Sequence, residues 1–140
     1  MPDDGSAGDD VWRDLAAFVI ENRDSWKRAV VEQSGLPFSR IRILRRLNRT
    51  PMTVKQIAAA ATIDAPAATV AVNDLEDRGL VIRRVDPSNR RSKVVSLTDA
   101  GRQAVQGIDA VHDPAPEALA VLSDRDLAEL RRILNKLRDS

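Results

Sequence analysis

Between Val85 and Arg102 the chain reads VDPSNRRSKVVSLTDAGR. The turn formers Asp86-Pro87-Ser88-Asn89 come first, then Arg90 and Arg91, then a short apolar run. Two adjacent guanidiniums at a hairpin tip are badly placed for a structural ion pair, because water screens charges there. They are well placed to grip an anion outside the protein, since each guanidinium presents a planar fork of N–H donors that fits a phosphate. Other chemistry is thinly represented. Asp109, His112 and Asp113 have the spacing of residues that share a helix face and a metal, but a single histidine beside two carboxylates, next to Pro114, reads as a solvated helix end. There is no glycine-rich phosphate loop, no HExxH and no cysteine nucleophile, and the lone histidine has no nucleophilic partner. The reading is therefore of a protein that is not an enzyme and needs neither metal nor cofactor.

The length of 140 residues suits one domain. With no cysteine, disulfides, cysteine–zinc sites and thiol switches are excluded. The start MPDDGSAGDD is acidic and unlike a signal peptide. No apolar run approaches the roughly 20 residues of a membrane span, so a cytoplasmic protein is expected. The formal net charge of +1 hides an asymmetry. Arg40 to Lys93 holds twelve Lys/Arg against five Asp/Glu, a net of +7, which leaves −6 on the remainder. A basic middle between acidic ends is the footprint of a polyanion binder.

The elements that must position these residues follow from periodicity and caps. Residues 1–8 read as a disordered tail and 9–140 as a single domain. Val11, Leu15, Phe18 or Val19, Trp26, Ala29 and Val30 predict one helix from Asp9 to about Ser34, ended by Gly35 and Pro37. Phe38, Ile41, Leu44 and Leu47 form the stripe of a second, over 38–49. Thr53, with Gln56 three residues on, caps a short helix over 54–61. Asp64 caps the next, with Pro66 in its first turn and Gly79 at its end. Two helices joined by a short turn make a helix-turn-helix. LVIRRV and KVVSL are strand-like runs around turn chemistry, hence a hairpin. Thr98 with Asp99 opens a helix over 100–112, and Ser123-x-x-Asp126 caps a last one. In the last, Leu127, Leu130, Leu134 and Leu137 repeat at a spacing that asks for a partner helix.

A helix-turn-helix followed by a basic hairpin is a winged helix: mainly α, with a small β wing. The stretch NDLEDRGLVIRRVDPSNRRSKVVSLTDAGR resembles, without a gap, the MarR-type transcriptional regulators. Leu75-Glu76-x-x-Gly79-Leu80-Val81, Asp86-Pro87, Arg90-Arg91 and Leu97-Thr98-x-x-Gly101-Arg102 carry the likeness, and LPFSRIRILRRL and QIAAAATI stand where the family's second and third helices do. The resemblance implies a homodimer bound to a pseudo-palindromic operator on double-stranded DNA, usually a repressor relieved by a small ligand. It implies dimerisation through 9–36 and 99–140, Val11 and Leu15 included, and a DNA-binding lobe over 37–98.

In a winged helix the hairpin tip lies over the minor groove, so Arg91 is expected to enter the groove and Arg90 to hold phosphate. The family usually has aspartate where this chain has Asn89, which can still accept a hydrogen bond from the arginine without charge assistance. Ala68, Ala71, Val72 and Leu75 face the core, leaving Pro66, Thr69, Val70 and Asn73 to meet the major groove. Val70 stands where the family commonly has arginine, so direct readout should be modest. Arg49, Thr53, Lys55 and Lys93 are phosphate candidates. The second-helix arginines 40, 42, 45 and 46 spread around their helix, and some should pair with acidic residues instead. A family member would hold its ligand between the dimer helices and the DNA-binding lobe. Trp26, Phe38 and Arg40 lie on elements that could line such a cleft, with ordinary core and surface roles as the alternative. Two rival functions stay open: a winged-helix dimer acting through protein–protein contacts, or architectural DNA binding of low specificity.

Overall fold

The computed structural model describes residues 6–139. The helices are α1 (Ser6–Glu21), α2 (Asp24–Ser34), α3 (Phe38–Arg49), α4 (Val54–Ala61), α5 (Ala65–Asp77), α6 (Asp99–Asp109) and α7 (Asp124–Arg138), with a 3-10 turn at Glu117–Val121. The strands are β1 (Met52–Thr53), β2 (Val81–Asp86) and β3 (Asn89–Leu97), in the sheet order β1-β3-β2, antiparallel throughout.

The caps do what their residue types allow. Thr53 Oγ1 accepts from Gln56 N at 3.1 Å while Gln56 Oε1 accepts from Thr53 N at 2.8 Å, a complete capping box. Asp64 and Thr98 cap α5 and α6, and Ser123 closes a second box with Asp126. The turn between α4 and α5 is held by Thr62 in the left-handed region, φ 56°, with Ile63 N donating to Ala58 O. The core is wholly apolar among the described residues. Ile41 and Leu44 of α3, Ile57 of α4, Val72 and Leu75 of α5, Val95 of β3 and Val105 and Ile108 of α6 are all sealed from solvent. At roughly 25 cal/mol per Å² of apolar surface, burying each such side chain contributes about 1.5–3 kcal/mol.

The Leu-Thr-x-x-Gly-Arg segment ties the sheet to α6. Thr98 Oγ1 donates to Gly79 O at 2.6 Å and accepts from Gly101 N at 3.0 Å, while Thr98 N donates to Leu80 O at 3.0 Å. Gly79 itself, at φ 76°, sits in the left-handed region where a side chain would be strained.

Several expectations need correction. The N-terminal helix is two helices, not one: α1 stops at Glu21 and α2 starts at Asp24. The polar run Glu21-Asn22-Arg23-Asp24-Ser25 offers the chain local alternatives to helix, and Asn22 Nδ2 donates back to Phe18 O at 2.8 Å. Helix α1 also begins at Ser6, so residues 6–8 are not the tail expected; residues 1–5 lie outside the described residues. Helix α6 stops at Asp109 rather than running to His112. Strand β1 and the 3-10 turn were not foreseen.

An intramolecular core for the leucines is ruled out. Neither α1 nor α7 buries a single residue within the chain. Val11 is 59 % and Leu15 39 % exposed, Leu127 and Leu134 each 41 %, and Leu137 60 %, with Leu130 half-buried. Among the described residues no helix is long and apolar enough to cross a membrane.

Candidate nucleic-acid interface

Helix α5 presents two faces. Ala68, Ala71, Val72 and Leu75 are buried, and Pro66, Thr69, Val70 and Asn73 are exposed, as their spacing requires. Val70 stands 60 % open to solvent. The side chain of Asn73 is not wholly free: Arg83 Nη2, from β2, donates to its Oδ1 at 2.7 Å. The same Arg83 nitrogen donates to Glu76 Oε1 at 2.8 Å. That hydrogen bond holds the Glu76 carboxyl below its usual range.

The hairpin differs from expectation at its end. Asp86 pairs with Asn89, so the turn proper is only Pro87-Ser88, and Arg90 and Arg91 belong to β3. Val85 pairs with Lys93. Arg90, Arg91 and Ser92 are therefore surplus residues with no opposite number on β2, an irregularity that bends the strand. Asp86 Oδ1 accepts from Ser88 N at 2.9 Å and Ser88 Oγ at 2.8 Å, which fixes the turn and lowers the Asp86 carboxyl. Asn89 Oδ1 accepts from the main-chain N of Arg91 at 3.1 Å, not from its guanidinium. Among the described residues neither guanidinium, Arg90 or Arg91, has a hydrogen-bond or ion-pair partner.

Around this pair of elements, Lys55, Lys93 and Arg49 are exposed, and Thr53 is half-buried with its hydroxyl occupied in the α4 cap. The α3 arginines divide as their spread around the helix demands. Arg40 Nε meets Asp74 Oδ2 at 2.9 Å and Arg45 Nε lies 3.6 Å from Asp109. Arg42, Arg45, Arg46 and Arg49 line a groove of about 410 Å³ with Phe38, Asn48, Val105 and Asp109.

The three residues offered for a ligand cleft are not gathered into one. Trp26 is buried, its ring edge-to-face with Phe38 at 5.8 Å and beneath the Arg23 guanidinium at 3.9 Å. Arg40 is committed to Asp74. Asp109 and Asp113 lie against Arg45 and Arg23, and among the described residues no group of three or more His, Asp or Glu side chains could hold a metal ion. The sequence reading missed Arg83. No local spacing announces it, because its partners lie ten and seven residues upstream on another element.

The model of the MarR family matches residues 34–92, which take in the helix-turn-helix and both sides of the hairpin turn. MarR of E. coli, in its apo form, superposes with a TM-score of 0.73 at 20 % identity, over 88 % of this chain and 93 % of that one. The matched segment, residues 34–92, is of the MarR family, and the fold around it is that of MarR. A protein of Thauera aromatica named for transcriptional regulation of the hcr operon is 31 % identical over 91 residues, 64 % of this chain. The chain matches only 55 % of that relative's length. A variant of MepR from S. aureus bound to an oligodeoxyribonucleotide has the same fold, with a TM-score of 0.63 at 21 % identity, over 91 % of this chain and 96 % of that one. In this chain Val70 stands at the exposed centre of α5, and Asn89 stands two residues before Arg91.

Proposed function

We propose that this MarR-family protein regulates transcription by binding double-stranded DNA as a homodimer. One observation carries the reading: two unpartnered guanidiniums, Arg90 and Arg91, project from the irregular end of the hairpin that follows an exposed, capped recognition helix. Helix α5 would lie in the major groove with Thr69, Val70 and Asn73 against base edges, and Arg91 would enter the adjacent minor groove. Arg90, Lys93, Lys55, Arg49 and the Thr53 hydroxyl would hold phosphates. That a MepR variant of the same fold was solved bound to an oligodeoxyribonucleotide supports DNA as the partner.

The exposed apolar stripes of α1 and α7 supply the natural surface for a second copy, through Val11, Leu15, Leu127, Leu130, Leu134 and Leu137. A two-fold dimer implies a pseudo-palindromic operator with half-sites about one helical turn apart. Repression relieved by a small ligand completes the reading. With Arg40 tied to Asp74, the arginine-lined groove at Phe38 is the better ligand site, and its charge favours an anion.

The test is a fluorescence titration with a duplex carrying the intergenic DNA beside the protein's own gene, competed by random duplex at two salt concentrations. Specific, salt-sensitive binding is expected. Equal affinity for both duplexes favours an architectural role. No binding to either favours a protein-contact role, for which the exposed Val70 face is the supporting observation.

A further inference from the structure

We infer that Arg83 determines which bases Asn73 reads, by holding the Asn73 side chain with its carbonyl turned inward and only its amide N–H groups free. The inference rests on the DNA-binding reading above and adds to it a specificity-determining residue that does not itself touch DNA.

The argument is one of donors and acceptors. A guanidinium has N–H donors and no acceptor, so the atom of Asn73 that meets Arg83 Nη2 at 2.7 Å must be the carbonyl oxygen. Arg83 is in turn held by Glu76, one helical turn further along α5, at 2.8 Å. Its side chain is three-quarters buried, at 24 % exposure, so the Glu76 pair is screened less than a surface pair, while the bond to Asn73 lies on the exposed side. Asn73 is an exposed residue, and its Nδ2 has no hydrogen-bond partner among the described residues.

Asparagine ordinarily reads adenine with two bonds, its carbonyl accepting from N6 and its amide donating to N7. Here Arg83 turns the carbonyl toward β2, so although a second lone pair is left on it, the amide N–H groups are the atoms left for a base. What faces the base is then a donor. Guanine offers two acceptors, N7 and O6, and thymine offers O4; adenine keeps one bond with its N6 donor unmatched, and cytosine offers only a donor. The base under Asn73 is thus guanine or thymine, a two-fold degenerate position.

Selection from a randomised operator with wild type, Asn73→Ala, Asn73→Asp and Arg83→Met tests this. Asn73→Ala identifies the position, as the one whose preference collapses. Wild type should select guanine or thymine there. Arg83→Met frees the amide to turn, so adenine should gain roughly tenfold over guanine, about the discrimination of one two-bond pair. Should Arg83→Met fail to fold, Asn73→Asp asks the same question: its carboxylate accepts from Arg83 and has no N–H, so the preference should move to cytosine. A wild-type site with fixed adenine at that position, or a guanine and thymine preference that persists in Asn73→Asp, overturns this inference alone. The absence of any enriched sequence with wild type overturns the DNA reading and this inference with it.

Discussion

Arg40 and Asp74 meet at 2.9 Å across 34 residues of sequence, and Arg78 closes on the other oxygen of the same carboxylate at 3.0 Å. The bridge ties the start of α3 to the recognition helix, so α5 is steered by charge as well as by its buried face. Hydrogen bonds from Arg40 and then Arg78 hold the Asp74 carboxyl below its usual value of 3.8.

The sign of the pH effect follows. A carboxyl whose folded value is depressed binds its proton more readily in the unfolded chain. Its contribution is fully present above about pH 4 and is lost as pH falls through the lowered value. Asp74→Asn should therefore be less stable than wild type at neutral pH and lose less on acidification, the two urea midpoints converging as pH falls through the lowered value. Parallel curves would show that the pair contributes nothing. Glu76 and Asp86 are depressed too, so the variant's acid limb should become shallower without vanishing.

At the junction of sheet and α6, a Cβ on residue 101 would lie 2.1 Å from Leu80 O, which is backbone and cannot step aside. Gly101→Ala is expected to destabilise by about 1–3 kcal/mol. Thr98→Ala, which removes the α6 cap, should cost about 1 kcal/mol. Urea denaturation of both variants checks the order.

The exposed apolar faces of α1 and α7 make a prediction about mass. Leu127→Glu with Leu134→Glu puts charge into the proposed dimer seam, where an unpaired buried charge is costly. In sedimentation velocity, wild type at micromolar concentration should run at twice the 15.4 kDa of the chain, and the double variant at that mass itself. A wild-type monomer at high concentration would sink the dimer.

Arg91→Ala should weaken operator binding by about 1–3 kcal/mol, with the largest loss on operators that are A·T-rich under the wing, as a minor-groove contact requires. An equal loss on every duplex, with the slope of log affinity against log salt lower by about one, would instead mark a phosphate contact. Lys93→Ala should show that phosphate pattern only.

Much of this molecule was legible from local chemistry. The boxes at Thr53-Gln56 and Ser123-Asp126, the caps at Asp64 and Thr98 and the buried stripe of α5 each involve residues within a turn or two of one another. Periodicity alone therefore reaches them. The missed features depend on distant partners. Strand β1 exists because Met52 and Thr53 find Val95 and Val94 on β3. The break after Glu21 falls where an unbroken apolar rhythm suggested continuity, although its polar residues gave a signal. The reach of Arg83 to Asn73, and the diversion of Arg40 from a ligand cleft to Asp74, are tertiary facts with no spacing rule behind them.

That α1 and α7 bury nothing within the chain gives folding two reaction orders. The winged lobe can form in a first-order step from its own core. Helices of 16 and 15 residues are marginal alone in water, so in the proposed dimer these two would be completed by encounter with a second copy. Their protection against hydrogen exchange should rise with protein concentration while that of α3 and α5 stays constant. In that dimer α1 and α7 would act as a gauge of the chain's own abundance.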